Sequence, residues 1–249
     1  MAPRPRAATL FHFTKSLDVL QSILKDSFFP RFSLEDVTWL GITKLEYFAF
    51  PMVCFCDIPL GRIDEHVDFY GAYGLGLSRE WAIKSGLNPI FYISRSSPLG
   101  ASFLSALRAA IKSDKVKKKE ERTSDQIKII MAHMKPLSGN ILIRDKPTSK
   151  DFYLESEWRF VPRIDEIPLA ITKPIYDDES KLNAFNDTLR TKALLRFSPN
   201  DIRYIFVKAD ADIPPLVDFM NKELGKLSVI EMKILTTRIT SLEHIEKDI

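Results

Sequence analysis

Three small groups of residues in this 249-residue chain carry the side-chain types that do chemistry. The first is Glu155-Ser156-Glu157-Trp158-Arg159. Alternate residues of an extended strand share a face, so Glu155, Glu157 and Arg159 point the same way. Two carboxylates so close repel, which tends to raise the pKa of at least one of them. Such a pair can move protons or stabilise developing positive charge; an exposed or ion-paired edge strand gives the same pattern without chemistry. The second group is His12, set between Phe11 and Phe13, with Thr14 on its own face of the strand. A histidine there titrates near neutrality, or is simply a satisfied structural residue. The third is Tyr70 and Tyr73, which bracket Gly71 in a run that also holds Gly74 and Gly76. Glycine inside a strand marks close approach to the backbone, and a flat ligand is one thing that could come close. Core packing accounts for the tyrosines equally well.

Several common chemistries are missing. The chain has no P-loop, no G-x-G-x-x-G opening a helix and no paired metal-ligand spacing, so no metal is expected. Cys54 and Cys56 share a strand face but are poorly spaced for a disulfide, and no second pair completes a zinc site. Reduced thiols, no run long enough for a transmembrane helix and no secretory signal together predict a cytoplasmic chain with no membrane partner. A net charge of +3 is too small to imply nucleic-acid binding by itself. The local exception is Lys115–Arg122, where Lys115, Lys117, Lys118, Lys119 and Arg122 crowd together, diluted by Glu120 and Glu121. That run reads as a solvated helix end or as an electrostatic footprint for nucleic acid.

The elements that must position these groups follow from periodicity. Leu10–Thr14 is a strand candidate, and Lys15–Lys25 an amphipathic helix with Thr14 or Ser16 as its N-cap. Phe28–Trp39 is aromatic-rich and irregular, closer to a loop or lid. Thr43–Phe50 fits a helix or a strand. Met52–Cys56 reads as a buried strand, Arg62–Phe69 as a helix, Tyr70–Leu77 and Pro89–Ser94 as strands. Phe103–Ile111 and Asp125–Met134 are helical, with His133 incidental; Leu137–Thr148 is a loop with short strands. Phe152–Pro162 and Asp201–Lys208 read as strands, with a helix between them in Asp178–Leu195. Ile213–Leu224 is a helix with two prolines in its first turn. Val229–Leu235 reads as a last strand and Ser241–Ile249 as a short helix. The pattern implies one α+β domain with a basic helical insertion at about 101–136.

Four blocks carry a family resemblance: FHFTKSLDVLQSIL, FPMVCFCDIPLGRIDEHVDFYGAYGLGLSREWAIKSGLNPIFYIS, ESEWRFVP and DIRYIFV. They resemble the AbiGi family of bacterial abortive-infection proteins, described as the antitoxin side of a two-gene phage-defence locus. That resemblance implies a partner protein from a neighbouring defence gene. The His-x-Thr strand and following helix are also similar to DNA-modifying ADP-ribosyltransferases of the DarT kind. This second likeness implies an ADP-ribosyltransferase-like split β-sheet core with flanking helices, using NAD as substrate and transferring ADP-ribose to nucleic acid or protein. It further implies a catalytic set of His12, Tyr73 (or Tyr70) and Glu157, with Thr14, Glu155 and Arg159 helping to bind NAD. Glu157 would hold the ribose or deprotonate the acceptor beside an oxocarbenium-like centre. His12 would orient the adenosine-side ribose, and a tyrosine ring would stack on nicotinamide. The helix after His12 ends in Asp26-Ser27 where the DarT-like pattern has a glycine. A non-catalytic regulator that holds a toxin is the competing expectation.

Overall fold

The computed structural model describes residues 8–42, 45–114, 123–143 and 146–245. The basic run Lys115–Arg122 and most of the N-terminal tail lie outside the described residues. Strands in chain order are β1 (Thr9–Thr14), β2 (Arg31–Asp36), β3 (Tyr47–Cys56), β4 (Tyr73–Ser78), β5 (Asn88–Pro89), β6 (Phe91–Ile93), β7 (Met134–Pro136), β8 (Ser138–Ile143), β9 (Lys146–Asp151), β10 (Glu157–Phe160), β11 (Ile171–Thr172), β12 (Ile202–Val207) and β13 (Ile239–Ser241). Helices are α1 (Leu17–Asp26), α2 (Asp64–Tyr70), α3 (Arg79–Lys84), α4 (Pro98–Ser113), α5 (Thr123–Ala132), α6 (Lys173–Tyr176), α7 (Glu179–Lys192), α8 (Ile213–Glu223), α9 (Val229–Thr236) and α10 (Leu242–Ile245). The architecture is mixed α and β, and the chain divides into two compact units. One holds Met1–Phe28, Cys54–Leu87 and Leu195–Ile249, the other Phe29–Val53 and Asn88–Leu194.

In the first unit the strand order is β13-β12-β4-β1. β12 and β13 run parallel, while β4 is antiparallel to both β12 and β1. The end of β3 meets β1 at Phe11↔Cys56. Phe11 and Phe13 face Gly76 and Gly74 across the β1–β4 ladder. A Cβ on Gly76 would lie 2.9 Å from the Phe11 ring, and one on Gly74 2.7 Å from the His12 carbonyl oxygen. These glycines make room for the neighbouring strand and its aromatic rings, which corrects the expectation of space left for a flat ligand. Phe11, Phe13, Cys56, Ile58, Ile63, Phe206 and Leu242 form the buried centre. Ser16, not Thr14, caps α1, and Leu20 and Leu24 on its apolar stripe are buried, as the spacing requires.

In the second unit β2 pairs antiparallel with β3 from Arg31↔Met52 to Asp36↔Tyr47. Half of Phe28–Trp39, the run Arg31–Asp36, is therefore strand rather than loop or lid. Its two-residue alternation is blurred because Arg31, Glu35 and Asp36 stand beside the apolar positions. β11 pairs with β3, β10 lies next to β3, and β5 pairs with β10. β6 and β7 form a parallel pair, and β8 and β9 an antiparallel one. Phe32, Ala49, Ile167, Ile171, Leu189 and Ala193 make this unit's core.

Three further expectations are corrected. Val229–Leu235 is helix α9, because Ser228 and Glu231 form a reciprocal capping box. The local cap outweighs the β-branched composition of the run. Tyr70 ends α2 instead of opening a strand; the break is Gly71, at φ +116°. Phe152–Pro162 is not one strand, because a 3-10 turn at Phe152–Glu155 closes on Ser156, a left-handed residue at φ 45°.

Candidate functional site

Three of the groups predicted from the sequence, Glu155, Glu157 and Arg159, meet in the second unit. Glu157 and Arg159 stand two residues apart on β10, so their side chains emerge on one face. Arg159 is wholly buried, at 0% exposure. Its Nε donates to Glu157 Oε1 at 2.6 Å, and Nη1 to the Ala132 carbonyl at 2.7 Å. Nη2 donates to Glu157 Oε2 at 3.2 Å and lies 3.0 Å from Glu35 Oε2 of β2. Lys135, on β7, donates to Glu157 at 3.0 Å and to Glu155 at 3.1 Å, with its ammonium 4.4 Å above the Phe152 ring. Glu155 sits in the 3-10 turn, so strand alternation does not bring it to Glu157. The turn and the shared lysine do. Lys150 of β9 pairs with Glu155 at 2.6 Å.

Among the described residues this cluster sets Glu35, Glu155 and Glu157 against Lys135, Lys150 and Arg159. Burial disfavours charge on Glu155, but the ammonium of Lys135, with Lys150 behind it, still holds its carboxyl below the ordinary range. Burial likewise works against the Lys135 ammonium; the Glu157, Glu35 and Glu155 carboxylates overcome it and raise the pKa. Tyr92 of β6 accepts the Glu157 backbone N–H at 2.8 Å, and burial pushes its hydroxyl pKa up. At neutral pH Glu155 is therefore ionised, Lys135 protonated and Tyr92 neutral, and none of the three is poised to exchange a proton. The repulsion expected between the two glutamates is answered by cations. Lys135, Lys150, Glu35 and Tyr92 left no spacing signal in the sequence; Arg159 did, through its place two residues from Glu157.

His12, Thr14, Tyr70 and Tyr73 belong to the first unit. The partly buried His12 has its ring against Phe28 and Phe55, with centroids 5.0 and 5.5 Å away. Its Nδ1 lies 2.8 Å from the Cys54 carbonyl, and because a carbonyl only accepts, Nδ1 carries the proton. Loss of water around the ring lowers its pKa, against the pull of that hydrogen bond. Thr14 is buried. Tyr73 donates to Asp212 at 3.2 Å, and burial followed by that carboxylate raises its pKa. Tyr70 packs against the Phe11–Phe206 core. A groove of about 410 Å3 in this unit is lined by Thr9, Ser78, Arg79, Ile83, Arg203 and Tyr204, with Ala8 and Glu80; none of the predicted residues lines it. Among the described residues no group of three or more His, Cys, Asp or Glu side chains is arranged to hold a metal ion, and no helix is long and apolar enough to cross a membrane.

Comparison with known proteins gives a family where the geometry gives a mixed α/β scaffold with its charges paired internally. Residues 26–208 match the family model described as "Putative abortive phage resistance protein AbiGi, antitoxin". A relative from Lactococcus lactis subsp. cremoris, "Abortive phage resistance protein AbiGi", is 29% identical over 247 residues, covering 89% of this chain and 99% of the relative. No solved structure matches the chain. The chain belongs to the AbiGi family of abortive phage resistance proteins.

Proposed function

We propose that this protein serves phage defence by binding a partner protein, as the antitoxin member of a toxin–antitoxin pair, and not by NAD chemistry. The observation that carries this reading is the state of Glu157. ADP-ribosyl transfer calls for a carboxylate that faces the reacting sugar and meets its positive charge. Here both oxygens of Glu157 are engaged by Arg159 and one also by Lys135, in a buried setting. The family description supports the same reading with the word antitoxin. The transferase alternative, with NAD as substrate and His12, Tyr73 and Glu157 as its catalytic set, makes the opposite prediction. Purified protein incubated with NAD and a mixture of DNA, RNA and lysate should release no nicotinamide and transfer no label. Expression of the neighbouring defence gene alone should arrest growth, and co-expression of this chain should relieve the arrest. Nicotinamide release that is lost in a folded Glu157→Gln variant would overturn the proposal.

A further inference from the structure

Two arginines of the second unit converge on one aromatic ring. The guanidinium carbon of Arg31, which opens β2, lies over the Phe29 ring at 4.6 Å from its centroid. That of Arg190, in the last turn of α7, lies over the same ring at 5.3 Å. The packing of α7 on β2 brings them together. Asn186 Oδ1 accepts the Phe32 N–H at 3.1 Å, and the Phe185 and Phe32 rings meet with centroids 5.8 Å apart. Residues four apart on a helix share a face, so the side of α7 that sends Asn186 to β2 also sends Arg190 towards the start of that strand. Phe29 is half-buried, and both arginines are exposed. Among the described residues no carboxylate pairs with either guanidinium. Asp187, exposed and one turn before Arg190, lowers the local charge without occupying either arginine. The acids of β2 are engaged elsewhere, Glu35 with Arg159 at 3.0 Å and Asp36 with the Thr38 N–H at 2.8 Å. Contact with a ring uses none of the guanidinium N–H donors, so both forks stay open to an anion.

We infer that the Arg31–Phe29–Arg190 cluster binds a single-stranded nucleic acid, with phosphate oxygens on the guanidinium N–H groups and a base against a guanidinium plane. This site is separate from the partner binding proposed above and does not depend on it. Charge alone suits any anion; two features choose the strand. Arginine's planar fork matches two oxygens of one phosphate. Two such forks, both within 5.3 Å of one ring centroid, can take one phosphate or two successive ones. A guanidinium held over a ring also turns its other face outward, and nucleobases stack on such planes as they do on aromatic rings. A carboxylate side chain uses only the rim of the guanidinium and has nothing to lay on that face. Phosphate and stacking contacts carry no base code, so the binding is indifferent to sequence.

The test titrates a fluorescein-labelled oligothymidylate of about a dozen nucleotides with the full chain, at about 0.1 M salt, and reads anisotropy. Arg31→Gln combined with Arg190→Gln should raise Kd by about tenfold or more. It should also make the slope of log Kd against log salt shallower by about 1.4, the share of two phosphate contacts on a single strand. Both side chains are exposed, so circular dichroism and melting temperature should match wild type. Arg31→Lys combined with Arg190→Lys keeps the charge without the planar fork and should recover only part of the loss. Phe29→Leu removes the ring that holds the two groups and should raise Kd about two- to fivefold. Lys84→Gln combined with Lys222→Gln removes the same charge from exposed positions on α3 and α8, and should leave Kd within about twofold. If the glutamine pair at Arg31 and Arg190 binds as tightly as wild type, or if the lysine control weakens binding as much, the site is overturned. If a polyglutamate peptide binds in the arginine-dependent way and the strand does not, the occupant is acidic protein and the inference falls. Thymidine monophosphate that displaces the strand at equal nucleotide concentration would make a free nucleotide the ligand, and the strand is overturned. None of these outcomes bears on binding to the product of the neighbouring defence gene, which tests the antitoxin reading by itself.

Discussion

Arg159 is the residue on which the charge cluster turns. Its guanidinium reaches Glu157 through two nitrogens, Glu35 through one and the Ala132 carbonyl through the third. Replacing a buried pair outright can be neutral, but removing one partner leaves the other charged and unanswered. Arg159→Met should therefore cost about 3 to 5 kcal/mol, read as a fall in the urea midpoint with the slope unchanged. Arg159→Lys should recover only part of the loss, since an ammonium cannot reproduce the forked geometry. Glu157→Gln should cost less, because Arg159 keeps Glu35 and Lys135 keeps Glu155. If Arg159→Met unfolds at the wild-type midpoint, the cluster contributes nothing to stability. The comparison also guards the nicotinamide assay, since a Glu157 variant is informative only when it is shown to be folded.

Among the elements, β1 and β4 are the pair whose fit is most demanding. A methyl group on Gly74 would meet the His12 carbonyl, which is backbone and cannot swing aside. On Gly76 it would meet the Phe11 ring and the Thr9 methyl, both side chains. Gly74→Ala should destabilise more than Gly76→Ala, both within the roughly 1–3 kcal/mol typical of overpacking, measured by thermal melting. Equal melting temperatures for the two would remove the argument. The same elements show what could be read in advance. β1, α1, α8 and β12 were legible because each carries a clean period or a cap in its own sequence. β2 was not, since its strand character depends on β3, against which Phe32 stands opposite Pro51 and Leu34 opposite Ala49, and on Asn186 of α7, whose side chain takes the Phe32 N–H. α9 carries its helix signal, Ser228 three residues before Glu231, next to a β-branched run whose composition reads as strand. Of the site, the Glu157–Arg159 pair was legible from two-residue spacing. The arrival of Lys135 was not, because a parallel β6–β7 pairing sets it, and no local pattern encodes that.

At the scale of the whole molecule these groups act together through pH. His12 in one unit and His133 in the other both have lowered pKa values, in each case chiefly because they have lost water. In the unfolded chain both take up a proton as pH falls through about 6.5, whereas in the folded chain they resist until lower pH. The unfolded state then binds more protons, so stability falls with falling pH from that point, by up to about 1.4 kcal/mol per pH unit for each histidine. Glu155 adds a second step of the same sign. Its folded pKa lies below the ordinary 4.5, so its contribution is present above 4.5 and is lost as pH falls through the folded value. Lys135 acts on the alkaline side: with its pKa raised above 10.5, its contribution is complete at neutral pH and is lost only as pH rises through the folded value. The urea midpoint should be level from pH 7 to 9, decline below about 6.5 and steepen below about 4.5. His12→Gln combined with His133→Gln removes the titrating rings, so it should flatten the first decline and leave the second. A wild-type midpoint that stays level down to pH 5 would mean that neither ring is shielded from water as the packing requires.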